Sequence, residues 1–209
     1  MSRTAVLRCG RVPAAWGGYR AGCMDLERYI LERSTVSGEI ISADTFLNHR
    51  VDPTVMVEFG RRIADIAAPL RPDVIVTAEA SGIPPALTAA TELSLPMVYA
   101  KKYVLPGPRK AVSKEVRSAT KGFEYTIEIR RHVLEPGMRA LVVDDFLAQG
   151  RTAVALGEIV EELGCEMLGA VFAIEKAWVG ARRLMEERGW PVWSVTSVAS
   201  VDGGVIRFG

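Results

Sequence analysis

Three features of the sequence predict an α/β fold, with a mostly parallel twisted sheet flanked by helices. From residue 52 onward short β-branched apolar runs alternate with helical patterns, which is the mark of β-α-β units. The 209 residues, 49% hydrophobic and 24% charged, are enough for one large core without disulfide or metal staples. One apolar run ends in two adjacent carboxylates and a Gly-containing turn that opens a helix, the position at which open α/β sheets bind ligands.

Residues 1–23 stand apart from this pattern. They carry Arg3, Arg8, Arg11 and Arg20, no acidic residue, a Trp16-Gly-Gly turn signal and no period. A transit peptide would also be Ser-rich and amphipathic, so the segment reads as a disordered or translated-upstream extension. The single folded domain is expected over 24–209. Met24 opens a helical pattern, with Leu26, Tyr29, Ile30 and Arg33 at i, i+3, i+4 and i+7. Asp52 as N-cap and Pro53 at the first helical position predict a helix from Pro53 to Ala68. Buried strands are expected at 74–77, 97–100, 140–143 and 169–174, and helices at 84–93, 151–163 and 180–188. The interval from Leu105 to Phe123 contains Pro106-Gly-Pro and the cations Arg109, Lys110, Lys114, Arg117 and Lys121. It reads equally as a mobile loop covering a polyanion or as a solvated hairpin.

Composition excludes several function classes. Twenty-six Lys and Arg against 25 Asp and Glu leave a net charge of +1, so nothing recommends a nucleic-acid or membrane-surface binder. Cys9, Cys23 and Cys165 are odd in number and form no C-x-x-C pair, which fits a reducing cytoplasm and a small buried residue at Cys165. No run of roughly 18 apolar residues is present to span a bilayer. His49 and His132 lack ligand-spaced partners and are assigned to neither metal binding nor catalysis.

The chemistry concentrates in Arg139-Ala-Leu-Val-Val-Asp-Asp-Phe-Leu-Ala-Gln-Gly-Arg-Thr. Free N–H groups at a helix start hold phosphate well, and Gly150 lets the backbone approach it. Asp144 and Asp145 would repel phosphate but accept hydrogen bonds from vicinal hydroxyls, so the two parts together describe a ribose 5-phosphate. An N-capping Asp pair would also explain the bare acidic pattern.

The full string, hydrophobic-hydrophobic-Asp-Asp-x-x-Ala-x-Gly-x-Thr, resembles the 5-phosphoribosyl 1-diphosphate (PRPP) motif of type I phosphoribosyltransferases. Phe46-Leu-Asn-His, Val51-Asp-Pro, Thr77-Ala-Glu-Ala-Ser-Gly-Ile-Pro-Pro-Ala, Ala100-Lys-Lys and Ile174-Glu-Lys are similar, in the same order, to the xanthine-using branch of that family. The resemblance runs from about Met24 to Phe208. It implies the type I fold with a small N-terminal hood, and a single phosphoribosyltransferase domain.

Roles follow from the resemblance position by position. Asp144 and Asp145 would hold the ribose hydroxyls, and Ala148, Gln149, Gly150, Arg151 and Thr152 would wrap the 5-phosphate. Glu79, Ala80, Ser81 and Gly82 would form the diphosphate loop, in a strained conformation that Gly82 permits, with Glu79 also a candidate catalytic group. Lys102 would help to neutralise the diphosphate. Lys176 would donate to an exocyclic oxygen of the purine, with Ile41 and Asn48 completing the base pocket and Trp178 or Phe146 stacking on the base or serving as core. Mg²⁺ would be held through PRPP, with no direct protein ligands.

Hypoxanthine-guanine members of the wider family carry an Asp in the PRPP loop where this chain has Ala148. Either another group is the base or the purine arrives partly deprotonated, which suits xanthine. Gln149 and Arg151 depart from the Asn and Gln usual in the branch. The resemblance implies transfer from PRPP to N9 of xanthine, giving XMP and diphosphate, by a cytoplasmic homodimer without nucleic-acid or membrane partners. The alternatives are guanine, hypoxanthine or adenine as substrate, or a PRPP-binding regulator without catalysis.

Overall fold

The computed structural model describes residues 24–103, 110–117 and 124–209. The expected extension 1–23 lies outside the described residues, as do both ends of the basic interval. The first helix, α1 (Leu26–Arg33), starts at Asp25, whose side chain accepts from the Arg28 N–H at 3.0 Å and so pairs one of the donors a helix start leaves open. A short antiparallel hairpin follows, β1 (Thr35–Ser37) and β2 (Ile40–Ser42). Ile41, Ala43, Phe46 and Leu47 bury beside Leu26 and Ile30, making a small N-terminal unit. The Tyr29 hydroxyl donates to Asp52 Oδ2 at 2.8 Å and ties α1 to the start of the next helix. Burial, helped by that hydrogen bond, pushes the Tyr29 phenol up to about 12.

Asp52 also caps α2 (Pro53–Ala67) by accepting from the Thr54 N–H at 2.9 Å, as its place before Pro53 predicts. Gly60 lets α2 approach α3 (Ile83–Leu93) closely, since a Cβ there would lie 2.6 Å from Thr88 Cβ.

The remaining strands are β3 (Val74–Ala78), β4 (Met97–Tyr103), β5 (Ala111–Arg117), β6 (Glu124–Arg130), β7 (Arg139–Leu147), β8 (Glu166–Lys176), β9 (Val192–Asp202) and β10 (Val205–Phe208). They form one sheet in the order β10-β9-β8-β7-β3-β4-β6-β5. The five central strands run parallel, and antiparallel pairings close both sides. Strand alternation sends Ala140, Val142, Ala170 and Phe172 into one core, with helix α4 (Arg151–Glu162) and Met185 of α5 (Arg182–Glu186). Leu141, Val143, Val171 and Ala173 enter the other, with α1, α2 and α3. The molecule is therefore a three-layer α/β/α sandwich, as predicted.

Several local expectations need correction. All four expected strands exist, and β5 falls within the interval read as a loop or a hairpin, but β1, β2, β6, β9 and β10 were not foreseen, because their polar residues interrupt the apolar runs. Residues 111–117 of the basic interval belong to a hairpin that is only half solvated. Val112 and Val116 are buried beneath it in the core shared with α4, and Lys114 pairs with Glu162 at 3.0 Å. The helix expected over 180–188 shrinks to α5, since a single-turn 3₁₀ segment at 177–179 ends at Gly180 with φ +74°. Cys165 is a free, buried thiol that donates to the Glu135 carbonyl at 3.4 Å.

Candidate active site

β3 and β7 are parallel neighbours, and the chain leaves them in opposite directions, toward β4 through α3 and toward β8 through α4. Such a switch point opens a crevice beyond the carboxyl ends of both strands. The loop after β3 carries Glu79, Ala80, Ser81 and Gly82, and the loop after β7 carries Ala148, Gln149 and Gly150. They face each other across a cleft of about 260 Å³.

The start of α4 forms one wall. Gly150 takes φ +71°, a left-handed conformation that suits glycine, and no side chain caps the helix. With no side-chain cap, the helix start faces the cleft, and Gln149, Arg151 and Thr152 line it there, a position at which helices hold anions.

The floor holds the acidic pair, and its two members are unequal. Asp144 is 8% exposed, and its Oδ1 accepts the Asp145 N–H at 2.9 Å. Burial first, and the neighbouring Asp145 charge second, hold the Asp144 carboxyl well above the usual carboxylate range. Asp145 is half-buried and also lines the cleft. Gly82 corrects one expectation. Its backbone is ordinary right-handed helix at φ −72°, ψ −22°, so it permits no strained conformation. Its missing side chain is what matters, because a Cβ there would overlap Asp144 Oδ1 and Thr77 Oγ1. The Glu79–Ala80 peptide bond is cis.

Glu79 and Lys102 are coupled. The Glu79 Oε1 accepts the Lys102 N–H at 2.7 Å, and the Glu79 N–H donates to the Ala100 carbonyl at 3.0 Å, pinning the first loop to β4. That locks the backbone from which the exposed Lys102 side chain enters the cleft. Residue-by-residue reading missed Tyr125 and Val116, paired across the hairpin, which line the opposite side. The alternation Tyr125, Ile127, Ile129 against Glu124, Thr126, Glu128 was the available signal.

The base-pocket candidates separate. Lys176 ends β8 half-buried, its Nζ 5.5 Å from the ring centroid of Phe146, which lines the cleft. Burial pulls the Lys176 ammonium below its ordinary value, and the Asp145 charge opposes that shift. Beneath it, buried Glu175 accepts from Arg182 Nε at 2.9 Å and Ser194 Oγ at 2.7 Å, which fixes the strand end. Trp178 sits in the turn beyond and packs against the second core. Ile41 is buried in the N-terminal unit and Asn48 is exposed; neither lines the cleft, and neither do Ala80, Gly82, Lys176 or Trp178.

Comparison with known proteins bears on this arrangement. Residues 59–207 match the family model described as phosphoribosyl transferase domain. The chain is 39% identical over 184 residues to a xanthine phosphoribosyltransferase of Chloroflexus aurantiacus, covering 88% of this chain and 87% of that one. It is equally identical to the one of Geobacillus thermodenitrificans, covering 88% and 95%. Among solved structures, an adenine phosphoribosyltransferase of Rhodothermus marinus superimposes with a TM-score of 0.68 at 20% identity, over 82% of this chain and 97% of that one. That likeness shows the fold. The switch-point cleft lies at the ends of β3 and β7, both within the matched residues 59–207, and the chain belongs to the phosphoribosyl transferase domain family.

Proposed function

We propose that this protein is a xanthine phosphoribosyltransferase of purine salvage, transferring the 5-phosphoribosyl group of PRPP to N9 of xanthine to give XMP and diphosphate. The observation that carries the reading is the uncapped start of α4 beside the acidic pair, with Lys102 across the cleft. The relatives named above support xanthine as the base. In this reading the α4 N–H groups, with Gln149, Gly150, Arg151 and Thr152, hold the 5-phosphate, and Asp145 accepts from the ribose hydroxyls. Asp144, which also lines the cleft, stands beside it beneath Gly82 for the same hydroxyls. Lys102 and the loop from Glu79 to Gly82 receive the diphosphate. The purine nitrogen then attacks C1 of the ribose as the diphosphate leaves, and the protein's contribution is positioning and charge stabilisation. Lys176 offers only donors, so it suits an oxo base and disfavours the amino group of adenine.

Among the described residues no cluster of three or more His, Cys, Asp or Glu side chains could hold a metal. The residues present suit a Mg²⁺ that arrives on PRPP, a hard cation that keeps oxygen ligands from substrate and water. When bound, it would neutralise charge on the leaving diphosphate. No described helix is long and apolar enough to cross a membrane, and the free buried Cys165 fits a cytoplasmic setting.

The homodimer is part of the proposal. One sheet face of β4 and β6 is open, with Tyr99 and Val133 both 41% exposed. Beneath them, Glu128 is 3% exposed with an Oε2 that has no partner, beside Lys101. An open face with exposed apolar side chains is a surface that a two-fold axis can pair with its own copy. Sedimentation at micromolar concentration should give twice the chain mass, and a monomer there would remove this part.

The function is tested by incubating the protein with PRPP, Mg²⁺ and, separately, xanthine, guanine, hypoxanthine and adenine. XMP should form preferentially. If no base reacts while PRPP still binds, a PRPP-sensing regulator replaces the enzyme. With Ala148 in the loop position, xanthine's own ionisation sets the rate, so kcat/KM should rise with pH through that ionisation and a flat profile would count against it.

A further inference from the structure

Tyr125 touches both walls of the cleft. It stands on β6 opposite Val116 of β5, so the hairpin carries it across from the start of α4. Its hydroxyl lies 2.9 Å from Thr152 Oγ1, and its ring centroid lies 5.3 Å from Lys102 Nζ. Thr152 is in the first turn of α4, and Lys102 faces it from β4. One side chain therefore joins the group assigned to the 5-phosphate with the group assigned to the diphosphate.

The direction of the hydrogen bond follows from the ligand. Phosphate oxygens only accept, so a Thr152 hydroxyl that serves the 5-phosphate must spend its single proton there. Its lone pairs stay free, and the phenol is the donor that can fill one of them. That bond turns the Thr152 proton away from Tyr125 and toward the phosphate. The aromatic face meanwhile attracts the ammonium of Lys102 and restricts where that long side chain can point.

We propose that Tyr125 is a positioning residue, orienting the Thr152 hydroxyl toward the 5-phosphate through its own hydroxyl and steadying Lys102 at the diphosphate through its ring. The proposal rests on the PRPP reading above and assigns the hairpin a part in substrate binding. The two halves separate chemically. Tyr125→Phe removes the hydroxyl and keeps the ring; Tyr125→Leu removes both.

Calorimetric titration with ribose 5-phosphate and with diphosphate, used as separate probes on the full chain, distinguishes them. Tyr125→Phe should weaken ribose 5-phosphate by about five- to tenfold, the size of one hydrogen bond, and leave diphosphate unchanged. Tyr125→Leu should weaken both. In turnover, Tyr125→Phe should raise KM for PRPP while kcat and KM for xanthine stay put. Thr152→Val should lose at least as much ribose 5-phosphate affinity, and adding Tyr125→Phe to it should cost nothing more, because the Tyr125 hydroxyl acts only through Thr152. Unaltered ribose 5-phosphate binding by Tyr125→Phe, equal loss of both probes, or full additivity with Thr152→Val would overturn the proposal. Wild-type protein that binds neither probe overturns the PRPP reading itself, and this inference with it.

Discussion

A single methyl group at position 82 tests the floor of the cleft. Gly82→Ala would drive a Cβ into Asp144 Oδ1 and Thr77 Oγ1, so the acidic pair or the whole loop must move. A displacement near 1 Å costs about 100-fold in turnover, and XMP formation should fall by at least about that much while the circular dichroism spectrum stays native. Asp144 itself gives a pH signature. Its carboxyl is raised in the folded chain, so its stabilising effect is complete below the ordinary carboxylate value and is lost as pH rises through the raised value. Asp144→Asn keeps the acceptor for the Asp145 N–H and has no proton to lose. Its Tm should equal that of the wild type near pH about 4 and exceed it increasingly at higher pH, and a gap that shrinks with rising pH would refute the assignment. The adjacent carboxylates were legible in the sequence because they end an apolar run. Their inequality was not, because burial of Asp144 depends on a turn from another strand closing over it.

At the scale of elements, the end of β8 matters most. Glu175 is 4% exposed; burial alone would raise its carboxyl, but hydrogen bonds from Arg182 and Ser194 bring it below the usual value. Arg182 also donates to the Val192 carbonyl, joining the turn after β8 to β9. Arg182→Ala leaves a buried charge with one hydroxyl partner and should destabilise the fold by about 2–3 kcal/mol in urea titration, less than for a fully buried pair because Arg182 is partly exposed. It should also raise KM for xanthine more than KM for PRPP, since Lys176 follows directly in the strand. The central strands and the helices at 53–67, 83–93 and 151–162 were legible from apolar runs, caps and 3.6-residue periods. The β5–β6 hairpin was legible only as one of two readings of the basic interval, because its charged faces suit a loop equally well and its apolar side is buried only once α4 packs beneath it.

At the scale of the whole molecule, the domain proposed over 24–209 should be self-sufficient. Deleting residues 1–23 should leave Tm and XMP formation unchanged in a scanning melt and a steady-state assay, and a large loss of either would place the extension inside the fold. The sequence by itself determined the α/β class, the parallel core and the acidic pair that precedes a Gly-containing helix start, because periodicity, capping and turn chemistry are local and survive without neighbours. The family match over 59–207 falls on those same features. Only the tertiary structure decided which candidates share a cleft: Tyr125 entered it, Ile41 and Asn48 did not, and Gly82 served by close approach rather than by an unusual backbone. Those outcomes depend on strand order and on loops far apart in sequence meeting at one sheet edge, and no local pattern of residues encodes such a meeting.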